Sequence, residues 1–326
     1  MPRELTEPID LCLPDGTLDP AAVGWSRTPL HHANLQGWGR NKRWEYWGIV
    51  TPVLIVGVVV SSLDYAGVHS LYVLDRRTGR EWAPEVVVPF ARGVVLPEVS
   101  GSGPVRGVGR GFEIGLVQDS GGVTLKAAAP ELELDLRIPA VPDRDCLAVV
   151  VPWSARRFQY TVKDVGRPVS GHIRVAGTTY DVSPADSFAV LDHGRGKWPY
   201  SMRWNWAAGS RPGGDLAIQL GGAWTDGTGQ TENGLFVDGR LHKIHEDLRW
   251  VYDRDDWMAP WRIEGKRVQV AFTPFHERVA KSNLMIVAGE THQCFGHFTG
   301  WASTDEGEQV SLDGLTGWAE EAHNRW

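Results

Sequence analysis

The sequence predicts an all-β protein built as two antiparallel β-barrels, or strongly curved sheets, in tandem, and three observations carry that expectation. Short runs rich in β-branched and aromatic residues recur along nearly the whole chain, separated by Gly, Pro and Asp. Helical periodicity is scarce. The 326 residues are enough for two ordinary cores.

The elements follow in order. Residues 53–60, VLIVGVVV, form the first strong strand signal, and runs at 70–74, 85–88, 112–117, 123–127, 132–138 and 147–151 follow it. Within 132–138 the pattern LELDLRI alternates, so one face is buried and the other wet. A polar passage at 163–170 marks the expected boundary between a first barrel, residues 1–165, and a second, residues 166–326. Beyond it, strands at 172–175 and 178–182 flank Ala176-Gly177, and strands at 234–237 and 240–244 flank Asp238-Gly239. Asp-Gly supplies the positive φ angles that a two-residue primed turn needs. Further strands are expected at 216–220, 268–272, 283–287, 294–301 and 309–318, with helix confined to short pieces at 184–188 or the last residues. The run at 53–60 has two uses, as core or as a homodimer surface.

Composition narrows the class. The chain is 42% hydrophobic and 22% charged, as soluble globular proteins are, and its net charge of -7 opposes nucleic-acid binding, which needs a basic surface. The first residues, MPRELTEPIDLCLPDG, lack the layout of a signal peptide, and residues 52–60 are too short to span a bilayer. A cytoplasmic protein of bacterial type without stable membrane insertion is expected. Cys12, Cys146 and Cys294 are odd in number and scattered, so neither a disulfide framework nor a metal knuckle follows. His242 and His245 would face opposite ways on a strand, and the glycines at 107, 109 and 111 lack the Lys-Ser/Thr of a phosphate loop. No metal or other cofactor is called for.

The chemistry concentrates in residues 191–206, LDHGRGKWPYSMRWNW. Asp192, His193, Arg195 and Tyr200 offer proton donors and acceptors there, and Trp198, Trp204 and Trp206 offer broad apolar faces. Trp204 and Trp206 leave the same face of a strand and could form one wall of a cavity. Of the 16 Trp, those at 198, 204, 206, 224, 250, 257, 261, 301, 318 and 326 fall in the second half, which places the site there. Asp192 and His193, being adjacent, would point to opposite faces of a regular strand. Gly194 and Gly196 could permit a bulge that brings them together, whereas Arg195 could lock Asp192 as a structural ion pair. A second constellation, Thr231-Glu232-Asn233-Gly234, could orient a substrate hydroxyl or hydrogen-bond a loop backbone. The catalytic candidates are therefore Asp192, His193 and Glu232. The ligand-binding candidates are Arg195, Trp198, Tyr200, Trp204, Trp206, Trp224 and Asn233.

The order LDHGRGKWPY, WNW, TENGLFVDGRLHKI, FTPFHER, QCFGHFTGW and LDGLTGWAEEAHNRW resembles the bacterial domain-of-unknown-function 2804 family over nearly the whole chain. That family in turn resembles, more distantly, the tandem lipocalin-like proteins that include carotenoid 1,2-hydratase and tocopherol cyclase. The resemblance implies two calycin-type barrels, an apolar ligand pocket, and an acid that protonates an alkene while aromatic faces steady the cation. A hydrophobic small molecule is the expected partner. Three function classes follow: a cofactor-independent lyase or isomerase acting on an isoprenoid or polyketide, a non-catalytic lipocalin-like binder, and a glycan-active protein. Trp faces suit all three, and one buried acid in a closed cavity would select the first.

Overall fold

The computed structural model describes residues 2–284 and 287–325. Among them the only helical piece is a single 3-10 turn at Pro20–Ala22, and the rest of the regular structure is strand. Both hairpin turns expected from the sequence are present. Ala176-Gly177 and Asp238-Gly239 close two-residue hairpins, each with both residues at positive φ.

Nine strands build the site. They are β1 (Asn41–Val50), β2 (Leu54–Ser62), β3 (Ala66–Asp75), β4 (Arg157–Pro168), β5 (Phe188–Lys197), β6 (Ser201–Ser210), β7 (Val268–Leu284), β8 (Val287–Ser303) and β9 (Leu315–Arg325). The first five belong to a nine-stranded antiparallel sheet in which β4, β5, β1, β2 and β3 lie side by side. A six-stranded sheet covers one face of it. The other four belong to a ten-stranded sheet in which β6, β9, β8 and β7 are neighbours.

The core divides into three layers. One apolar cluster fills the space between the nine- and six-stranded sheets, with Trp47, Val56, Val58 and Val60 meeting Ile114, Leu125 and Leu134. Another lies inside the curl of the ten-stranded sheet around Trp261, Phe272 and Phe298. The third joins the two large sheets and contains Ile55, Leu74, Val149, Phe188, Trp206 and Trp318. The nine-stranded sheet is thus covered on both faces. That is why β2 reads as a continuous apolar run instead of an alternating one.

The all-β, curled antiparallel expectation holds, and the tandem barrels are met in part. The hydrogen-bonded order of the ten-stranded sheet has two free ends, Arg240–Ile244 and Arg249–Val251, so its curl is not closed by a ladder. The changeover between the large sheets falls between Lys197 and Ser201. The polar passage at 163–170, read from the sequence as the approximate boundary, begins inside β4, where Asp164 is paired with Arg144 at 3.2 Å and Arg167 at 2.8 Å. A register shift between Val165 and Arg167, around Gly166 at φ +84, supplies the turn-like signal. The helix expected in the last residues is strand β9, because hydrogen bonding to both β6 and β8 overrides the helical preference of Ala319-Glu320-Glu321-Ala322. Part of the strand expected at 283–287, and Trp326, lie outside the described residues.

Candidate functional site

The register of the nine-stranded sheet lays out one wall of a cavity as three rungs. Lys163 on β4 stands opposite Asp192 on β5, which stands opposite Tyr46 on β1. The next rung is Thr161, Gly194 and Trp44, and the third is Gln159, Gly196 and Lys42. Gly194 is needed there, since a Cβ would lie 2.1 Å from Trp44 Cε2. The facing wall comes from the ten-stranded sheet, where Trp206, Glu320, Gln293 and Arg278 form one rung across β6, β9, β8 and β7. Between the walls is a cavity of about 360 Å³, with Trp198 and Trp224 among its lining residues. Those two rings stack with centroids 5.7 Å apart.

Two buried charge groups meet in this space. In the first, Lys163 Nζ lies 2.8 Å from Asp192 Oδ2 and 3.3 Å from Glu232 Oε2, and 4.3 Å from the centroid of Trp206. Thr161 Oγ1 donates to Asp192 Oδ1 at 3.1 Å, and Trp224 Nε1 donates to Glu232 Oε1 at 2.6 Å. Glu232 Oε2 accepts no well-aligned hydrogen bond, because Lys163 reaches it at ion-pair distance only. Burial raises the Glu232 carboxyl above its ordinary value against the pull of Lys163. Burial also works against the Lys163 ammonium, but Asp192 and Glu232 outweigh it and Lys163 is raised.

The second group centres on Glu320, 6% exposed. Trp204 Nε1 donates to Oε1 at 3.0 Å and Gln293 Nε2 to Oε2 at 2.8 Å. Arg278 Nη1 donates to Gln293 Oε1 at 3.2 Å, and since a guanidinium only donates, the Gln293 amide nitrogen must face Glu320. Burial pushes the Glu320 carboxyl up to about 7. Among the described residues both side-chain hydrogen bonds to Glu320 come from donors, which favour its charged form, so burial is what raises the carboxyl.

The structure gathers Asp192, Glu232, Trp198, Trp204, Trp206 and Trp224 around this cavity. His193, Arg195, Tyr200 and Asn233 are not among its lining residues. The expected bulge at Gly194 and Gly196 is absent, for β5 is in continuous register with β1 from Phe188 to Lys197. His193 and Arg195 consequently point to the opposite face, where His193 Nδ1 meets Glu45 Oε2 at 2.8 Å. Arg195 bonds the carbonyls of Trp44, Pro97 and Gly194 instead of Asp192. Asp192 is held by Lys163. Tyr200 is 51% exposed, and Asn233 bonds the backbone of Gly221 and Glu246. Trp206 offers Lys163, rather than a ligand, one of its faces.

Sequence reasoning passed over Lys163, Glu320, Gln293, Arg278 and Trp44. Glu320 carries no local signal, because Ala319-Glu320-Glu321-Ala322 reads as helix and only its pairing with β6 and β8 turns the Glu320 carboxyl toward the cavity.

No curated protein matches the sequence. Among solved structures the fold is similar to a Nitrosomonas europaea protein carrying a provisional AttH designation, with 13% identity over 86% of this chain and 92% of that chain, at a TM-score of 0.54. It is also similar to kievitone hydratase from Nectria haematococca, with 10% identity over 88% and 89% of the two chains, at a TM-score of 0.50. These likenesses concern the fold. At the level of sequence, the model of a family described as a domain of unknown function, DUF2804, matches residues 2–326.

Proposed function

Because the chain belongs to the DUF2804 family, which carries no assigned activity, we propose a function from the cavity itself: it takes up a largely apolar, unsaturated small molecule between the two large sheets, and Glu320 transfers a proton to it. The reaction is a cofactor-independent one of the hydratase, cyclase or isomerase type. The observation that carries this reading is the Glu320 carboxyl, held near pH 7 by burial and hydrogen-bonded only by donors, in a cavity walled with Trp. A fold shared with a protein named kievitone hydratase is compatible with it.

In the proposed step the Glu320 O–H bond breaks and a C–H bond forms at one alkene carbon, leaving the positive charge on its neighbour. The Trp204 and Trp44 rings and the Asp192 and Glu232 carboxylates surround that charge. The cation is discharged when water adds and its surplus proton passes to the Glu320 carboxylate, or when a neighbouring C–H returns its proton to that carboxylate; either way the Glu320 acid is restored. Asp192 serves as a fixed anion, since Lys163 and Thr161 hold both its oxygens.

The test is incubation of the protein with a panel of unsaturated isoprenoids in deuterated water, followed by mass spectrometry. Proton transfer to carbon leaves a C–D bond in recovered substrate or product. The expected result is incorporation with wild type and none with Glu320→Gln, while Trp fluorescence shows that both bind. Binding without incorporation by wild type would make this a ligand carrier.

A further inference from the structure

The rung that carries Glu320 ends in a guanidinium to which the proton transfer assigns no task. Arg278 on β7 lines the cavity two strands from Glu320, with Gln293 between them, so their Cα atoms lie roughly 10 Å apart at the spacing of neighbouring strands. The side chain is held from two sides. Nη1 donates to Gln293 Oε1 at 3.2 Å, and the guanidinium carbon stands 4.2 Å from the centroid of the Tyr72 ring. That ring is itself fixed, since Tyr72 is buried, stacks on Phe295 and donates to Glu81 Oε1 at 2.7 Å. A guanidinium presents five N–H donors in a planar fork, and hydrogen bonding among the described residues takes one of them. The carboxylates nearby do not use the others. Glu81 also meets His276 Nε2 at 2.6 Å, Glu320 is reached through Gln293, and Glu85, which lines the same cavity, makes no ion pair with Arg278. Burial raises the Glu85 carboxyl against the pull of Arg278.

We infer that the molecule held in this cavity carries a carboxylate, which docks on the fork of Arg278 and directs an apolar, unsaturated body along the rung toward Glu320. This rests on the cavity reading above and adds the substrate class to it. A carboxylate matches the fork with two parallel charge-assisted hydrogen bonds, whereas an alcohol or ester of the same length offers neutral acceptors only. The Tyr72 ring and Gln293 already fix the guanidinium, so little side-chain freedom is left to lose on docking. Docking also serves the acid. Burial raises Glu320 while Trp204, Lys163 and Arg278 pull it down, so an anion on Arg278 offsets one of those pulls and favours the protonated carboxyl that the transfer needs.

The experiment measures binding of dec-9-enoic acid, dec-9-en-1-ol and methyl dec-9-enoate by intrinsic Trp fluorescence at pH 7.5, where an ordinary carboxylic acid is ionised. Wild type is expected to bind the acid at least about tenfold more tightly than the alcohol or ester, the size of a charge-assisted contact. The preference should be lost in Arg278→Gln, which keeps an N–H donor for Gln293, and in Arg278→Met, which keeps most of the length of the stem. Arg278→Lys restores the charge without the fork and should retain a smaller preference, a rescue that a merely structural role would not show. Alcohol binding at the wild-type level certifies that a variant has folded with its cavity intact, and the wild-type comparison needs no variant at all. Equal binding of acid and alcohol by wild type overturns the carboxylate inference and leaves the apolar cavity reading intact. A preference that survives undiminished in folded Arg278→Gln or Arg278→Met overturns the assignment to Arg278. Failure of wild type to bind any of the three overturns both readings.

Discussion

The two faces of β5 both take charge out of water and use it differently. On one face His193, Arg195 and Glu45 are at most 2% exposed, and Glu45 and the Arg195 guanidinium are closed on neighbouring groups and backbone, although His193 Nε2 accepts or donates no hydrogen bond among the described residues. Gln118 donates to Glu45 Oε1 at 3.2 Å, His193 meets Oε2 at 2.8 Å, and the Arg195 guanidinium is consumed by three carbonyls. On the other face Asp192 and Glu232 share one Lys163, Glu232 Oε2 lacks an aligned donor, and there is open space in front of them. Buried charge is thus no signature of a site. Each face carries an orphaned polar atom, Glu232 Oε2 or His193 Nε2, and the room for a ligand in front of Glu232 is the feature that separates the two faces.

The largest effect should come from opening the closed face. Glu45→Ala strands the Arg195 guanidinium in a core where it is 1% exposed, and breaking a buried pair by removing one partner costs about 3–5 kcal/mol. Urea unfolding checks this, and a loss below about 1 kcal/mol would show that the closed face contributes little to folding. Ligand binding per folded molecule should be unchanged, because Glu45 does not line the cavity.

The second effect distinguishes the faces by sign. Glu320 has a folded value of about 7 against an ordinary 4.5, so the folded state holds its proton more tightly than the unfolded chain. The favourable contribution is full below pH 4.5 and is lost as pH rises through 7, roughly 3 kcal/mol in all. Glu45 runs the other way: burial pushes its carboxyl up, His193 and Arg195 more than reverse this, and its contribution is lost as pH falls. Glu320→Gln should therefore flatten the decline in stability between pH 5 and pH 8 and leave the variant more stable than wild type at pH 8. An unchanged slope would remove Glu320 as the group titrating near neutrality.

Much of this comparison was legible before the fold. The alternation of strands, the Asp238-Gly239 turn and the convergence of Trp198, Trp204, Trp206 and Trp224 with Asp192 follow from periodicity and local chemistry. The divergence of Asp192 and His193 also follows from a period of two, and the glycines misled because their role is space. Gly194 admits the Trp44 ring, and a Cβ at Gly221 would lie 2.2 Å from Glu232 Oε1. Lys163 and Glu320 were hidden for a different reason. A buried ion pair makes a strand read as a polar domain boundary, and a Glu-Glu dipeptide on a central strand reads as helix until its partners β6 and β8 are known. Long-range pairing set the environment of both, and no local window contains it.

A third effect, of intermediate size, tests whether the open face depends on that space. In Gly194→Ala the new methyl meets the Trp44 indole, which must shift, at a cost of about 1–3 kcal/mol for overpacking. Because Trp44 is also a cavity wall, apolar ligand affinity should fall with stability. Stability lost with affinity retained would mean that Trp44 does not shape the binding space.

The smallest effect should come from Asp192→Asn, and its smallness is informative. The substitution keeps the shape and an acceptor for Thr161, and it leaves Lys163 facing Glu232 alone, so the charges on this face become one-to-one. Stability should change by about 1 kcal/mol or less, in contrast to Glu45→Ala. Asp192 is one of the charges that raise Glu320, so its removal should lower the Glu320 midpoint by well under one unit. Trp204 donates its indole N–H to Glu320 and reports that ionisation. The midpoint is read as the fluorescence titration of each protein minus that of the same protein carrying Glu320→Gln. A downward shift places the two carboxylates in one field across the cavity. No shift, or an upward one, would mean that the two walls titrate independently and that Asp192 does not help to keep the Glu320 proton available for transfer.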